Sequence, residues 1–183
     1  YAKSKSVEIA IIGPEAPLEE GLVDELAKAE IPSVGPTKSC ARLETSKSFT
    51  RSLLDKYHIP GNPRHSVFRA PDGLREFIRE LGEYVVKDEG LCGGKGVRLS
   101  GEHLATVDDG VRYAEECIGK SGAVVVEEKL IGEEFSIQCL CDGRTVAGSP
   151  LAQDHKRAYE GDTGPNTGGM GSYSDANHLL PFL

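Results

Sequence analysis

The sequence predicts an α/β fold, because short apolar runs and helical patterns alternate along the chain. The first apolar run, Val7 to Ile12, ends at Gly13-Pro14, which predicts a buried strand entering a turn. Apolar residues then recur at helical spacing: Leu18, Leu22, Val23, Leu26 and Ala29. A short strand resumes over Ile31 to Val34. This order predicts a parallel pair joined by a crossover helix, with Gly13-Pro14-Glu15 at the carboxyl end where ligands gather.

A second region of alternating elements begins near Val67. Before it, Ser46 is a plausible cap for a helix that ends at Ile59-Pro60-Gly61, and the apolar face of that helix consists of Phe49, Leu53, Leu54 and Tyr57. From Val67 the pattern predicts strand, helix, strand, glycine-rich loop, strand, helix and strand. Thr106 and Asp109 form a capping-box-like pair at the later helix, and the buried strand at 123–126 follows.

The last third of the chain has the period of two that is typical of strands. Apolar residues alternate with polar ones, which predicts that one face packs: Phe135, Ile137, Cys139 and Cys141. We interpret Cys139 and Cys141 as core residues rather than metal ligands. Turns at Asp142-Gly143 and Gly148 predict a small antiparallel sheet.

Composition excludes several classes of protein. Hydrophobic residues make up 38% and charged residues 27%, which favours a folded protein over a disordered one. A net charge of -8 and a pI near 5.2 argue against binding to nucleic acid or to membrane surfaces. Five cysteines without metal-finger spacing suit a reducing compartment, so we expect a cytoplasmic protein. No apolar run reaches the roughly 20 residues that span a bilayer.

A glycine-rich segment from Lys87 to Gly96 directly follows a predicted strand. It holds four glycines and two lysines, so backbone N–H groups can close on an anion while the lysines supply positive charge. The Walker A order is missing. The segment therefore predicts a phosphate clamp of another kind, and the alternative is a mobile hairpin turn.

Two further segments are candidates for ligand binding. Glu127 to Glu134 follows a buried strand, whose edge can meet an adenine and whose carboxylates can accept from ribose hydroxyls; the alternative is solvated charge. Gln153 to Arg157 and Thr163 to Gly171 bracket a long, Gly-rich stretch. There the cationic triplet would bind phosphate or His155 would transfer a proton, and the alternative is an exposed charge run beside a flexible loop.

These segments together resemble the phosphoribosylamine-glycine ligase (glycinamide ribonucleotide synthetase) family, ATP-grasp enzymes of purine synthesis. The resemblance runs nearly end to end and is carried by Gly13 to Leu18, Gly35-Pro36-Thr37, Leu43 to Lys47, Gly90 to Gly96, Glu127-Glu128 and Gln153 to Arg157. Its most specific part is the ten-residue string from Asp162 to Gly171. The resemblance implies an ATP-grasp fold, in which two α+β subdomains clamp ATP, preceded by part of a parallel-sheet α/β domain. Residues 1–36 would end that substrate-binding domain, and 37–183 would form an ATP-grasp domain truncated at its C-terminal end.

The resemblance also implies an activity and a set of site residues. ATP would phosphorylate the glycine carboxylate, and the amine of 5-phosphoribosylamine would attack the glycyl phosphate, giving glycinamide ribonucleotide, ADP and phosphate. Implied ATP contacts are Lys47, Lys87, Gly90, Gly93, Gly94, Lys95, Gly96, Glu127, Glu128, Leu130 and Glu134. Implied contacts to the other substrates are Gly13, Pro14, Glu15, His155, Pro165, Asn166, Thr167, Gly168 and Gly169. The implied catalytic residues are Asp154, Lys156 and Arg157.

The chain departs from the family pattern in three places. The family usually reads Lys-Ala-Asp-Gly-Leu-Ala-Ala-Gly-Lys-Gly where this chain has Lys87 to Gly96, so extra glycine should loosen the loop and Cys92 adds an oxidation site. The family's amino-terminal glycine-rich turn is absent. So is its Arg-Phe-Gly-Asp-Pro-Glu segment with the ligands of Mg²⁺ (or Mn²⁺), which we expect beyond residue 183. We therefore expect the 183 residues alone to be inactive, because phosphate charge would converge unneutralised.

Other functions stay open at this point. One alternative is another ATP-grasp ligase of purine synthesis with a different acceptor, against which the string from Asp162 to Gly171 argues. A second is a non-catalytic module that senses ATP. The expected partners are small-molecule substrates, without nucleic acid or membrane, in a monomer or homodimer.

Overall fold

The computed structural model describes residues 1–92, 96–177 and 180–182 of the chain. These residues form two compact units, Tyr1–Leu130 and Ile131–Leu183. The domain boundary expected after residue 36 lies within the first unit and stays a prediction.

The first unit opens with a small parallel pair of strands. A 3-10 turn at Lys3–Lys5 is followed by β1 (Ala10–Ile11), α1 (Glu15–Glu19), α2 (Leu22–Lys28) and β2 (Ser33–Val34). The parallel pairing of β1 with β2 was predicted and is confirmed. The prediction of a buried strand over Val7 to Ile12 was wrong, because β1 has only two residues. Ile11 is 77% exposed, since a two-stranded sheet leaves most of its surface open. The single crossover helix is split by Gly21, whose φ of 86° is left-handed.

Two capped helices follow in the first unit. Thr37 caps α3 (Lys38–Thr45) by accepting from the N–H of Cys40, and Ser46 caps α4 (Lys47–Lys56) by accepting from the N–H of Phe49. The cap at Ser46 confirms the predicted helix. Helix α3 was not predicted from the sequence.

A four-stranded antiparallel sheet forms the centre of the first unit. Its strands are β3 (His65–Phe68), β4 (Tyr84–Asp88), β5 (Val97–Leu99) and β6 (Val124–Glu128), in the order β3-β6-β4-β5. Helices α5 (Leu74–Leu81) and α6 (Val107–Ser121) pack on one face through a core that includes Ile78, Val86 and Val126. Strand residues alternate between faces, so Lys87 and Glu127 lie on the opposite face, towards α4.

Helix α6 begins at the capping box that the sequence predicted. The N–H of Asp109 donates to Thr106 Oγ1, and the N–H of Thr106 donates to the Asp109 carboxylate. The helix ends at Gly122, which is left-handed. With 15 residues it is too short to cross a bilayer, and no helix in the described part of the chain is long and apolar enough to do so.

The second unit consists of short antiparallel pairs of strands over its described residues. Strand β7 (Cys139–Cys141) pairs with β8 (Val146–Gly148), β9 (Gln153–Asp154) with β12 (Ser172–Tyr173), and β10 (Arg157–Tyr159) with β11 (Thr163–Asn166). The hairpin at Asp142-Gly143 confirms the predicted small sheet. The prediction that one face of this segment packs was wrong, because its four residues are all exposed: Phe135, Ile137, Cys139 and Cys141.

Two glycines of α6 provide a matched test of the packing between this helix and the sheet. A Cβ at Gly110 would lie 2.2 Å from the hydroxyl oxygen of buried Tyr84, whereas a Cβ at Gly119 would contact nothing within 4 Å. We expect Gly110→Ala to lower the free energy of unfolding by about 1–3 kcal/mol through overpacking. Gly119→Ala should raise it by about 0.5–1 kcal/mol, because alanine favours a helix. Urea unfolding measures both, and a Gly110→Ala protein as stable as Gly119→Ala would contradict this packing.

Candidate functional site

The glycine-rich segment is the hairpin loop between β4 and β5. These strands pair antiparallel with Lys87 opposite Val97, and the N–H of Asp88 donates to the carbonyl of Gly96 at 2.8 Å, which closes the base of the loop. Three residues that the sequence assigned to phosphate binding, Gly93, Gly94 and Lys95, lie outside the described residues. The predicted position directly after a strand is confirmed.

The N-terminus of α4 holds the start of this loop. The Glu89 carboxylate accepts from the hydroxyls of Ser46 and Ser48 at 2.6 and 3.0 Å, and from the N–H of Ser48 at 3.1 Å. Lys47 Nζ donates to the carbonyl of Gly90 at 2.5 Å. Lys47 therefore lies beside the glycine loop, although 43 residues separate it from Gly90.

A buried carboxylate between two cations lies on the sheet face that α4 covers. Glu127 is 5% exposed in its side chain; its Oε1 pairs with Lys87 Nζ, and its Oε2 accepts from Arg51 Nε and Nη2 at 2.9 and 2.7 Å. The register places Val85 opposite Glu127 and Lys87 opposite Val125, so both charged side chains point to the same face. Two cationic partners offset the cost of burying this carboxylate.

Arg51 was missed in the sequence analysis. Local spacing indicated only that Arg51, four residues after Lys47, lies on the same side of α4, and not that it contacts Glu127. Asn62 fixes it: Arg51 Nη1 donates to Asn62 Oδ1 at 3.3 Å, and Asn62 Nδ2 donates to the carbonyl of Arg51 at 3.2 Å. Helix α4 thus brings two cations, Lys47 and Arg51, to the region of the loop and β6.

The predicted adenine segment continues from the end of β6. The Glu128 carboxylate accepts from the N–H of Arg64 at 2.8 Å, and the N–H of Glu128 donates to the carbonyl of Arg64 at 2.9 Å, which fastens this residue to the start of β3. Leu130 is 68% exposed. The Glu127 and Glu128 carboxylates are therefore engaged within the protein, and their assignment to adenine stays a prediction.

The base of the loop also contacts helix α6 through Asp88, on the opposite face of the sheet from Glu127. The buried carboxylate of Asp88 accepts from Lys120 Nζ at 2.8 Å and from the Cys92 thiol at 3.6 Å. Burial by itself raises the pKa of Asp88, but the hydrogen bonds from Lys120, Ser121 and Cys92 and the charge of Lys120 together outweigh it, so the pKa lies below its ordinary value. Burial raises the pKa of the Cys92 thiol, so that thiol is protonated and weakly reactive at neutral pH.

The two predicted substrate segments of the second unit lie side by side. The N–H of His155 donates to the carbonyl of Gly171 at 2.9 Å, that of Met170 to His155 at 2.7 Å, and that of Thr167 to Lys156 at 2.6 Å. Arg157 Nη1 donates to the carbonyl of Gly164 at 2.9 Å. The backbone thus brings Asp154 to Arg157 next to the segment from Pro165 to Gly169, as neighbouring strands of one unit.

The side chains of these segments form a polar cluster. Lys156 Nζ contacts Glu134 at 3.0 Å and Asp154 at 3.7 Å, while the His155 ring stacks on Tyr173 with centroids 5.8 Å apart. The hydrogen bond with Glu134 raises the pKa of Lys156, so this lysine stays cationic. A cleft of about 260 Å³ opens beside His155 and Arg157, with Asp162 and Met170 also in its wall.

The turn at Gly13-Pro14-Glu15 lies where the sequence predicted it, just after β1. Pro14 is the cap residue of α1, Glu15 begins that helix, and a Cβ at Gly13 would contact nothing within 4 Å. Because β1 and β2 are parallel, this turn and Gly35-Pro36-Thr37 lie at the same edge of the pair. Substrate contact at this turn stays a prediction.

The cysteines of β7 are a correction to the sequence analysis. Cys139 and Cys141 are both exposed rather than packed in a core, because the face of the hairpin that carries them is open. Within the described residues, no group of three or more His, Cys, Asp or Glu side chains could hold a metal ion.

Comparison with protein families gives matches along almost the entire chain. The model of the phosphoribosylglycinamide synthetase N domain matches residues 1–44, and that of the ATP-grasp (A) domain of the same enzyme matches residues 45–182. The chain is 53% identical over 188 residues to the phosphoribosylamine-glycine ligase of Methanothermobacter thermautotrophicus, and 50% identical over 184 residues to that of Pyrococcus furiosus. Both alignments cover 100% of this chain and 43% and 42% of those proteins, so the chain spans about two fifths of their length.

Solved structures agree on the fold. The phosphoribosylamine-glycine ligase of Thermotoga maritima has a TM-score of 0.73 and 36% identity, covering 90% of this chain and 40% of that one. The D-alanyl-alanine synthetase A of Vibrio cholerae has a TM-score of 0.63 and 17% identity, covering 79% of this chain and 44% of that one. The biotin carboxylase domain of Hydrogenobacter thermophilus, in complex with MgADP, has a TM-score of 0.63 and 17% identity, covering 85% of this chain and 36% of that one. The last two likenesses concern the fold alone, and together the matches confirm the predicted ATP-grasp fold.

The pairing of Asp88 with Lys120 makes stability depend on pH. Folding lowers the pKa of Asp88 below the ordinary value of 3.8 for an aspartate. The ionised carboxylate therefore stabilises the protein fully above that ordinary pKa, and this contribution is lost as pH falls through the lower folded pKa. We expect Asp88→Asn to reduce the free energy of unfolding by roughly 1–3 kcal/mol at pH 7 and by much less at pH 3. Urea unfolding at both pH values measures this, with exposed Asp72→Asn as control. An equal loss at both pH values would rule out the ionic contribution.

Proposed function

The chain belongs to the phosphoribosylglycinamide synthetase family, and from that premise we propose the activity of its full-length protein. We propose that this protein ligates glycine to 5-phosphoribosylamine, with ATP transferring its γ-phosphoryl group to the glycine carboxylate and the amine then displacing phosphate. The product is glycinamide ribonucleotide, formed through glycyl phosphate. This is the reaction of a carbon–nitrogen ligase in purine biosynthesis.

One observation supports the nucleotide part of this proposal most strongly. In a chain whose net charge is -8, Lys47 contacts the glycine-rich loop, Lys87 begins it, and Arg51 shares the Glu127 carboxylate with Lys87. A triphosphate needs such local cations and backbone N–H groups, because the rest of the protein repels it. We assign Lys47 and Lys87, with the loop from Gly90 to Gly96, to the phosphates of ATP.

The remaining ATP contacts follow from the family. Glu127, Glu128 and Leu130 are assigned to the adenine side, and Glu134 to the ribose. Because the carboxylates of Glu127 and Glu128 already have partners, the backbone around Leu130 is the better candidate for adenine. Lys156 contacts one oxygen of the Glu134 carboxylate, and the other oxygen can accept from ribose hydroxyls.

We assign the binding of glycine and 5-phosphoribosylamine to residues that carry charge or expose their backbone. Lys156 and Arg157 would stabilise the negative charge that develops as the glycine carboxylate becomes an acyl phosphate, with Asp154 orienting Lys156. His155 and the segment from Pro165 to Gly169, together with Gly13, Pro14 and Glu15, would bind glycine and 5-phosphoribosylamine. A carboxylate is a poor acyl donor until its oxygen becomes phosphate, so holding the acyl phosphate away from water is essential.

Magnesium or manganese is proposed as the metal of the full-length protein. A divalent ion supplies the neutralisation of phosphate charge that phosphoryl transfer requires. The described residues do not fit a metal site by themselves, because they bring together no set of three or more ligating side chains. We therefore assign no residue of this chain to the metal. A cytoplasmic monomer or homodimer, acting on small molecules without nucleic acid or membrane, completes the proposal.

The ligase activity is tested by substrate omission with the full-length protein. With ATP, Mg²⁺, glycine and freshly prepared 5-phosphoribosylamine, we expect ADP release that requires both glycine and 5-phosphoribosylamine. Coupled-enzyme detection of ADP measures this, and mass spectrometry identifies the product. ADP release that is indifferent to glycine would favour a ligase with another acceptor, and ATP binding without any release would favour a sensor module.

The role of Lys87 is tested by Lys87→Met in the full-length protein. Removing a cation that stabilises phosphate charge should lower kcat/KM for ATP by about 100-fold or more, by analogy with loss of an oxyanion donor. Lys28→Met is the matched control, because Lys28 is exposed on α2 and its ion pair is with Glu25 of the same helix. Equal activity of the two variants would remove Lys87 from the ATP site.

A further inference from the structure

Two of the cations at the proposed phosphate site, Lys87 and Arg51, share one carboxylate. Glu127 gives Oε1 to Lys87 and Oε2 to Arg51, and all three side chains come from different elements, β6, β4 and α4. Lys87 and Glu127 alone would make a neutral pair. With Arg51 the group carries a net charge of about +1 by simple addition of formal charges.

The exposed surfaces of these side chains are unequal. The Glu127 side chain is 5% exposed, whereas those of Arg51 and Lys87 are 20% and 24% exposed. The negative charge is therefore buried while both positive groups retain exposed surface. An anion that approaches this face meets the cations before it meets the carboxylate, which is the arrangement that attracts phosphate.

Arg51 is held in this geometry from both ends. Its guanidinium contacts Glu127 through two nitrogens, and Asn62 bonds to the guanidinium and to the carbonyl of the same residue. Asn62 is itself fixed by a bond of 2.7 Å to Asp55 on α4. A planar guanidinium suits this forked contact better than the ammonium of a lysine.

We propose that Arg51 is a positioning residue for ATP. It pairs with one oxygen of the Glu127 carboxylate, so that this carboxylate does not fully neutralise Lys87 and the positive charge of Lys87 remains available to the phosphates. The proposal rests on the proposed function only in taking Lys87 as a phosphate ligand. Without Arg51, Lys87 is the remaining cationic partner of the buried carboxylate among the described residues. Lys87 would then be neutralised and drawn towards β6, and the phosphates would lose its charge.

The test compares ATP with adenosine, which shares the base and ribose but lacks phosphate. In the full-length protein, Arg51→Gln should weaken MgATP binding about tenfold or more and leave adenosine binding within about twofold, since a unit charge near the phosphates is lost. Arg51→Lys should recover most of the ATP affinity. Arg79→Gln, which removes the same charge from an exposed position of α5, is the matched control and should change neither. Isothermal titration measures all four proteins.

A double-mutant cycle separates charge sharing from a structural role. In the Glu127→Gln background no buried carboxylate remains to neutralise Lys87, so Arg51→Gln should cost much less ATP affinity there than in the wild type. Equal losses in both backgrounds would overturn the proposal, and so would parallel losses of ATP affinity, adenosine affinity and melting temperature. Because binding is measured without glycine, failure of the ligase proposal would appear separately, as ADP release independent of glycine in the wild type.

Discussion

The buried ion group around Glu127 is the interaction on which the first unit depends. A carboxylate in the centre of a packed sheet is costly unless cations reach both of its oxygens. Lys87 reaches one along the β4–β6 register, and Arg51 reaches the other from α4. The same contacts that satisfy the carboxylate therefore fix where β4 ends, where α4 lies against the sheet and where the loop after Lys87 begins.

The two faces of the central sheet carry different kinds of side chain. Period-two alternation sends Tyr84, Val86 and Asp88 towards α6 and sends Val85 and Lys87 towards α4. The first face supplies apolar packing and ends in the Asp88 to Lys120 pair. The second supplies the cations, and Glu89 then ties the loop to the N-terminus of α4 through Ser46 and Ser48. The loop is thus held at its base from both sides of the sheet.

The second unit follows a different principle, because backbone hydrogen bonds rather than a core join its functional segments. The segment from Gln153 to Arg157 and the Gly-rich string after Asp162 bond to one another through their main chains, at His155, Lys156 and Met170. Lys156 of this segment reaches both Glu134 and Asp154. Many apolar side chains of this unit remain exposed, including Ile137, Leu140 and Val146.

The sequence by itself determined the elements whose signals are local. The capping box at Thr106, the helix after Ser46, the buried strand at 123–126 and the position of the glycine loop were all predicted correctly, because caps and apolar periods act within a few residues. The family and its fold also followed from motif strings. The depth of burial did not: Ile11, Cys139 and Cys141 have apolar patterns but open surroundings, and burial depends on which elements cover a face. Only the tertiary structure paired Lys47 with Gly90 and Arg51 with Glu127, since contacts across 43 and 76 residues leave no trace in local spacing.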